Sequence, residues 1–546
     1  MRGLITVLII IFCLLVLFIG FNPHRIEFLH LYRGDDFAMM RTLDNIYSGL
    51  VTLDVKRMFS FFPGYGTIFY YYNLLFAMPF IATGLYDSAI VATRLATNMF
   101  FLASLFLVYV TFSTSKGITT CLLLVLTLCS MPEFLANTNI VYPVWMSNAF
   151  LLLSIYFLHR DSFQLQKNFY FAVISFSICV SAKLQYIMCA PLIFNYILFK
   201  YSRDQFKMIK ISTSVSLLII GSYIVTNPYL MHPLGINFWI KGLSVAKDWV
   251  GKTDGDIIYK LNSLSDSFYN KYIILMLFIL YGVALLFQHF NAKVLKDSDR
   301  FLTVIGLTGL VGFTFLLVFV SGNFDHYFPP VMIMLTIYAF FKFESLFKEM
   351  FGPTVSAMVI IACFFANIYF SKDRFYKIVN RGFGQTSEVA YGMEEMSFIK
   401  STLWKAGYKR GHQILASPYT FIPINELGIK LNQIHTIYGP LKESTVSMRS
   451  FISESASKDR GRFVPKNFVI IRKSDTSNYA ATKRGNVPRS LEKRRVAARK
   501  IINDMKNGYL GYKLIDQDAK ILIFKLASDP EKNLGNSKIN TIEIAG

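Results

Sequence analysis

Two adjacent carboxylates, Asp35 and Asp36 in "RGDDFAMMRTL", follow shortly after one of the most apolar openings a chain can have, "LITVLIIIFCLLVLFIG". Neighbouring side chains leave the backbone in different directions, so one acid could act as a general base while the other binds a cation or a hydroxyl. The same pair would also suit the first turn of a helix over "DFAMMRTLDNIYSG", where acids favour the positive end of the helix dipole. A second landmark is Lys183, set in the apolar stretch "VSAKLQYIMCAPLIF". An ionisable group at membrane depth is costly and by default faces a cavity or an anionic partner; its alternative is to snorkel to an interface at a helix break. His232 in "TNPYLMHPLGINFW" and His326 in "NFDHYFPPVMIML" each sit beside prolines at the end of an apolar run, where a histidine serves either structure or chemistry.

The elements that must position these groups are membrane spans. The chain has 546 residues, is 53% hydrophobic and 16% charged, and has a mean hydropathy of +0.42. Those values exclude a soluble fold. Apolar runs fall at 4–21, 67–86, 90–111, 118–135, 143–158, 169–182, 184–199, 211–227, 272–289, 301–320, 329–347 and 353–370. A hydrocarbon core about 30 Å thick takes roughly 20 apolar residues per helix, so the expectation is about 11–13 transmembrane helices. The first run is read as an uncleaved span, because it is long for a signal peptide and no small-x-small site follows. All six cysteines lie in apolar segments with no CxxC pair, and neither a zinc site nor a disulfide framework is expected.

Short basic connections, "HRDSFQLQK", "KYSRDQFKMIK", "NAKVLKDSDR" and the 342–348 region, belong in the cytoplasm by the positive-inside rule. That puts the 22–66 loop, 228–271, "SGNFDH" and the C-terminal tail outside. A cytoplasmic N-terminus and an outside tail require an odd number of spans, whereas twelve runs are drawn; the 67–86 run, which contains Pro79, is the first suspect for a piece that does not cross.

The organisation expected is a membrane domain over 1–370 with its first outer loop at 22–66, an extracytoplasmic α/β domain over 371–528, and a flexible tail over 529–546. In the tail, "SEVAYGMEEMSFIKSTLWKAG" has helical spacing, and "HQILASPY", "RFVPKNFVIIRKS", "GYKLID" and "KILIFKLA" read as strands. "RSLEKRRVAARKIINDMKNG" reads as a helix with one apolar face. From Ser371 onward there are 31 Lys and Arg against 16 Asp and Glu, an excess of 15 out of the chain's net +22. This basic tail is either a plain soluble domain or a holder of an anionic acceptor or anionic headgroups.

No Walker loop, nucleotide-binding GxGxxG, HExxH or Gly-x-Ser-x-Gly is present. An enzyme built this way needs its energy in the substrate, which an activated lipid would supply.

In that order (first span, acidic-pair loop, "FFPGYG", "YPVWMSN", buried "AK", "NPY", "HYFPP", outer α/β tail) the landmarks resemble the GT-C glycosyltransferases, in particular the protein O-mannosyltransferase and aminoarabinose transferase relatives of glycosyltransferase family 39. The sequence departs from that pattern at "PGYG", where Pro-Pro is usual, and at "YPVWMSN", where an Arg or Asp is usual. The resemblance implies a polytopic α-helical membrane enzyme with an extracytoplasmic α/β domain. It would transfer a hexosyl or pentosyl group from a polyprenyl-phosphate-linked donor to a glycan, lipid or protein acceptor, with inversion. It implies Asp35 as base and Asp36 as its helper. Lys183, Arg33 and His326 would stand near the donor phosphate, with Tyr65, Tyr142, Asp325 and Tyr327 lining the substrate cavity. A divalent ion, Mg or Mn, remains open, with Asp36 as its ligand. Membrane lipids are expected partners and nucleic acid is not. Two other classes fit many spans and buried charge: a lipid-linked-sugar flippase or other transporter, and a non-catalytic envelope assembly factor.

Overall fold

The apolar opening folds as helix α1, Arg2–Phe21, with no charged residue after Arg2 to interrupt it. The computed structural model describes residues 2–21, 34–59, 65–138, 141–233, 235–237, 239–240, 297–319, 327–382, 387–416, 420–429, 433–436, 467–472, 507, 512–519 and 521–526. Two units form, one from Met1–Asn22, Asn45–Pro79 and Ala89–Phe383, the other from Pro23–Asp44, Phe80–Ser88 and Gly384–Gly546.

The first unit is helical; of the helices named next, residues 34–44, 80–82 and 86–88 belong to the second unit. After α1 come α2 (Gly34–Thr52), α3 (Val55–Met58), α4 (Thr67–Ala82), α5 (Tyr86–Lys116), α6 (Ile118–Cys129), α7 (Pro132–Asn137), α8 (Val144–Asp161), α9 (Lys167–Ala182), α10 (Pro191–Tyr201) and α11 (Gln205–Thr226). Then follow α12 (Asp297–Phe319), α13 (Pro329–Phe370) and α14 (Lys372–Gly382). Local chemistry sets these bounds. Pro132 and Pro191 open α7 and α10 at positions where a missing N–H costs nothing. Asp204 caps α11 by accepting the Lys207 N–H at 3.1 Å. The α8–α9 turn is held by the buried Asp161 carboxylate, which accepts the N–H groups of Leu165 (2.7 Å) and Gln166 (2.9 Å) and the Tyr196 hydroxyl (2.8 Å). Runs 329–347 and 353–370 join in α13, broken at Gly352 (φ 80°) before Pro353.

Helices in a membrane gain nothing from excluding water from one another, so close packing must hold them together. Gly306, Gly309 and Gly312 give α12 a flat face against α13: a Cβ there would come within 2.7 Å of the Tyr338 ring, 3.0 Å of Leu335 Cγ and 2.6 Å of Val331 Cγ1 respectively. Three helices among the described residues, Tyr86–Lys116, Gln205–Thr226 and Arg300–Val318, are long and apolar enough by themselves to cross a membrane.

The run 67–86, the first suspect for a piece that does not cross, forms α4, an apolar helix of 16 residues with Pro79 inside it. α4 lies antiparallel along the first half of α5, with the Tyr72 hydroxyl on the Ala96 carbonyl (3.2 Å) and Thr97 on Asn73 (3.5 Å). The far end of α5 reaches the opposite end of the bundle, where Lys116 lies over the Phe341 ring at 5.8 Å and Thr120 meets Glu344 at 3.3 Å. α4 and α5 thus form an antiparallel pair joined by a short turn.

The second unit carries a five-stranded sheet and the helix α15 (Ser387–Lys405), with a short α16 (Ile424–Leu427). The strands are β1 (Ile414–Ala416), β2 (Ile434–Thr436), β3 (Phe468–Arg472), β4 (Tyr512–Gln517) and β5 (Ile521–Leu526), in the order β2-β1-β3-β5-β4. β1 is parallel to β2 and β3; β5 is antiparallel to β3 and β4. Phe468, Val469, Ile470, Ile471, Ile521, Ile523 and Phe524 are fully buried, so the central strands read as continuous apolar runs. α15 is tied to this sheet by Thr402, whose hydroxyl donates to Asp516 Oδ2 at 2.8 Å. The short β2 and α16 carried no pattern legible in the sequence, and the basic helix expected over 489–508 lies, apart from residue 507, outside the described residues.

Candidate active site

Five helix ends of the first unit converge around Lys183. α9 stops there because the residue is extended (φ −148°, ψ 106°), and the chain continues as a 3-10 turn, Leu184–Cys189. Extended backbone inside a helical bundle needs a partner, and Tyr65 supplies it through an isolated antiparallel bridge to Lys183. The Gly66 N–H donates to the Ala182 carbonyl at 3.1 Å. This approach requires glycine: a Cβ at Gly66 would stand 1.5 Å from the Ser181 carbonyl oxygen. The next residue, Thr67, begins α4, and its N–H donates to Asn227 Oδ1 at 2.9 Å, its hydroxyl to the same oxygen at 3.3 Å. Asn227, at the end of α11, is itself held by its Nδ2 donating to the Tyr223 carbonyl (3.0 Å). It caps a helix that begins 160 positions earlier in the chain. Ser181 and Thr226 hydroxyls meet at 2.5 Å beside it.

Aromatic rings complete the surroundings. Lys183 is 0% exposed, and its Nζ lies 4.9 Å from the centre of the Tyr327 ring, just before α13. A desolvated ammonium over a phenol face gains about 2 kcal/mol. Tyr65 meets Tyr142 edge to face at 6.1 Å, and Tyr142 is fixed by the Pro143–Val144 start of α8. Tyr186 of the 3-10 turn locks that start in place, donating to the Val144 carbonyl (3.1 Å) and Asn148 Oδ1 (3.0 Å). The arrangement encloses a buried cation among phenol rings and backbone, a setting whose charge suits an anionic partner.

Of the residues singled out in the sequence, Lys183, Tyr65, Tyr142 and Tyr327 are brought together. Asp35 and Asp36 occupy the first turn of α2, a position that also satisfies the helix-terminus reading of these acids; their side chains lie outside those described. Arg33, Asp325 and His326 also lie outside the described residues. His232 is exposed, and in its segment it is Asn227 that contacts the site. Among the described residues no three of His, Cys, Asp and Glu gather into a metal-binding group. The five described cysteines are free.

Sequence reasoning missed Asn227, Gly66 and Thr67, and it also missed Arg94. Arg94 is 6% exposed on α5, one helical turn from the buried Thr97 and Asn98. The signal for Arg94 was present, a charged residue inside the apolar run 90–111. Asn227 lay inside the "NPY" landmark, but its role as the cap of α4 left no signal, because a cap supplied from a distant helix leaves no local pattern.

The helical bundle with its α/β C-terminal unit is a fold shared with a solved ArnT. The solved structure of ArnT from Cupriavidus metallidurans bound to undecaprenyl phosphate superimposes with a TM-score of 0.59 over 96% of this chain and 98% of that chain. Its apo state gives 0.57 over the same shares. Identity is 10% in both, so the likeness is one of fold. The Archaeoglobus fulgidus oligosaccharyltransferase in complex with Zn and sulfate overlaps more loosely, with a TM-score of 0.44 at 11% identity over 86% of this chain and 69% of that one. No protein-family model and no curated protein matches the sequence. The chain is thus a polytopic helical membrane protein with a C-terminal α/β unit.

Proposed function

We propose that this protein is a membrane glycosyltransferase that moves a sugar from a polyprenyl-phosphate-linked donor to an extracytoplasmic acceptor by single displacement. The observation that carries the reading is Lys183, buried against Tyr327 and bridged to Tyr65, in a chain with the fold of an ArnT whose solved structure holds undecaprenyl phosphate. Lys183 compensates the charge of the donor phosphate, and that charge grows on the bridging oxygen as the bond from C1 breaks. Asp35 takes the proton of the acceptor hydroxyl as its oxygen bonds to C1 from the opposite face, which inverts the anomeric centre. Asp36 orients the acceptor or donor. A divalent ion, if the reaction uses one, would be held by Asp36, whose side chain lies outside those described.

The basic connections support the sidedness. Lys183, Tyr65, Tyr142, Asn227 and Tyr327 all stand at helix ends remote from "HRDSFQLQK", "KYSRDQFKMIK" and residues 342–348. With those loops cytoplasmic by the positive-inside rule, the site faces outward.

The test is transfer by purified protein from a labelled undecaprenyl-phosphate sugar to crude envelope acceptor. Wild-type protein transfers label. Asp35→Asn abolishes transfer while leaving the amount of protein in the membrane unchanged, and Lys183→Met lowers undecaprenyl phosphate binding at least tenfold. Full activity in Asp35→Asn sinks the assignment of the base; uptake of label into vesicles without transfer would point to a flippase.

A further inference from the structure

The second unit ends in a concentration of positive charge that the proposed reaction does not use. α15 finishes at Lys405, and the turn that follows exposes Lys409 and Arg410 between Gly407 (φ 78°) and Gly411 (φ 103°). The hairpin β4–β5 adds Lys513 and Lys525 directly opposite one another. Like charges at paired positions of an antiparallel ladder repel and cost stability. Lys525 belongs to the same surface as the turn, since its Nζ donates to the Ala406 carbonyl at 2.6 Å. The His412 imidazole lies among these cations, close enough to Lys409 and Lys525 to feel both. Acids of the unit are engaged nearby with other groups: Glu426 pairs with Lys400, and Asp516 accepts the Thr402 hydroxyl.

Beside the cations stands an aromatic ring in water. Trp404 is 49% exposed and rests edge-on against Tyr408, centroids 5.9 Å apart. An indole half in water, next to a cluster of lysines and arginine, is the composition that seats at a membrane surface: the ring at headgroup level, the cations on phosphates. The chain is anchored by its membrane helices, so such a surface is always within reach of this unit's tether.

We infer that Trp404, Lys405, Lys409, Arg410, Lys513 and Lys525 form a docking surface for the phosphate-bearing headgroups of anionic lipids. The repulsion between Lys513 and Lys525 is then relieved when a phosphate lies between them. This surface is independent of the catalytic reading and stands or falls separately from it.

The test uses the full chain in lipid nanodiscs, one set of phosphatidylcholine alone and one containing about a third phosphatidylglycerol, with amide hydrogen exchange followed by mass spectrometry. Peptides over 401–413 and 511–526 should exchange about fivefold more slowly in the anionic discs. Peptides over 468–472 should not change. The protection should vanish in Lys409→Glu/Arg410→Glu, whose exposed positions leave the fold intact, and in about 0.5 M salt, where screening is nearly complete over these distances. Equal exchange in both discs overturns the inference. So does protection by soluble polyphosphate in neutral discs without any effect of the anionic lipid, which would assign the surface to a free or glycan-borne anion.

Discussion

Asn227 shows how much of the site depends on one side chain that does no chemistry. It satisfies the first N–H of α4 and fixes the Tyr65–Thr67 segment against Lys183. In Asn227→Ala the buried Thr67 N–H loses its acceptor, a cost of about 1–3 kcal/mol, and the thermal midpoint of the purified protein should fall. The same variant should weaken undecaprenyl phosphate binding, because Lys183 loses its backbone neighbour; unchanged binding at a lowered midpoint would reduce Asn227 to a purely structural cap. Tyr327 offers a cleaner separation. Tyr327→Phe keeps an aromatic face over the Lys183 ammonium and should retain binding, whereas Tyr327→Leu removes it and should cost about 2 kcal/mol, a loss of roughly thirtyfold in lipid phosphate affinity by titration. Equal affinities in the two variants would remove the ring from the account.

At the scale of elements, α12 and α13 are held by contact area. Gly306 admits the Tyr338 ring against the helix backbone. Gly306→Leu puts a branched side chain where no space exists and should force the two helices apart, costing about 1–3 kcal/mol and lowering the midpoint in detergent, while Gly3→Leu, with nothing within 4 Å of its Cβ, should be silent. Helix breaks are the other element-scale device. α9 ends at Lys183, α4 begins two residues after Tyr65, and α13 begins two residues after Tyr327, so each site residue lies where a helix stops. Such breaks expose backbone groups that the Tyr65–Lys183 bridge and the Asn227 cap then satisfy. Membrane-embedded irregular backbone survives on those terms.

At the scale of the whole molecule, the α/β unit has an acid-sensitive group in His412. Its burial first, then the positive charges of Lys409 and Lys525, hold its pKa below the usual histidine value. The folded unit thus binds fewer protons than the unfolded chain once the pH falls below about 6.5, and stability is lost in that direction, with no effect above it. Proteolytic release of the region after 384, followed from pH 8 to pH 5, should accelerate below about pH 6.5, and His412→Gln should flatten the curve. Indifference of the wild-type protein to that range would contradict the assignment.

The sequence by itself determined the class of molecule, since composition and apolar runs of span length leave no soluble alternative. It also determined Lys183, because a lone charge in a greasy stretch is conspicuous without any structure. The strands of the tail were legible for the same local reason, as in "NFVIIRKS" and "KILIFKLA". Tertiary structure decided what depends on partners far apart in the chain. The pairing of α4 with α5 could not be read from its apolar content, which does not say which neighbour a helix packs on. The gathering of Tyr65, Tyr142, Lys183, Asn227 and Tyr327 was equally hidden, because those residues are joined by bridges and caps over long separations. Periodicity reports which face of an element is buried; it carries no record of which distant helix end will complete the hydrogen bonds of another.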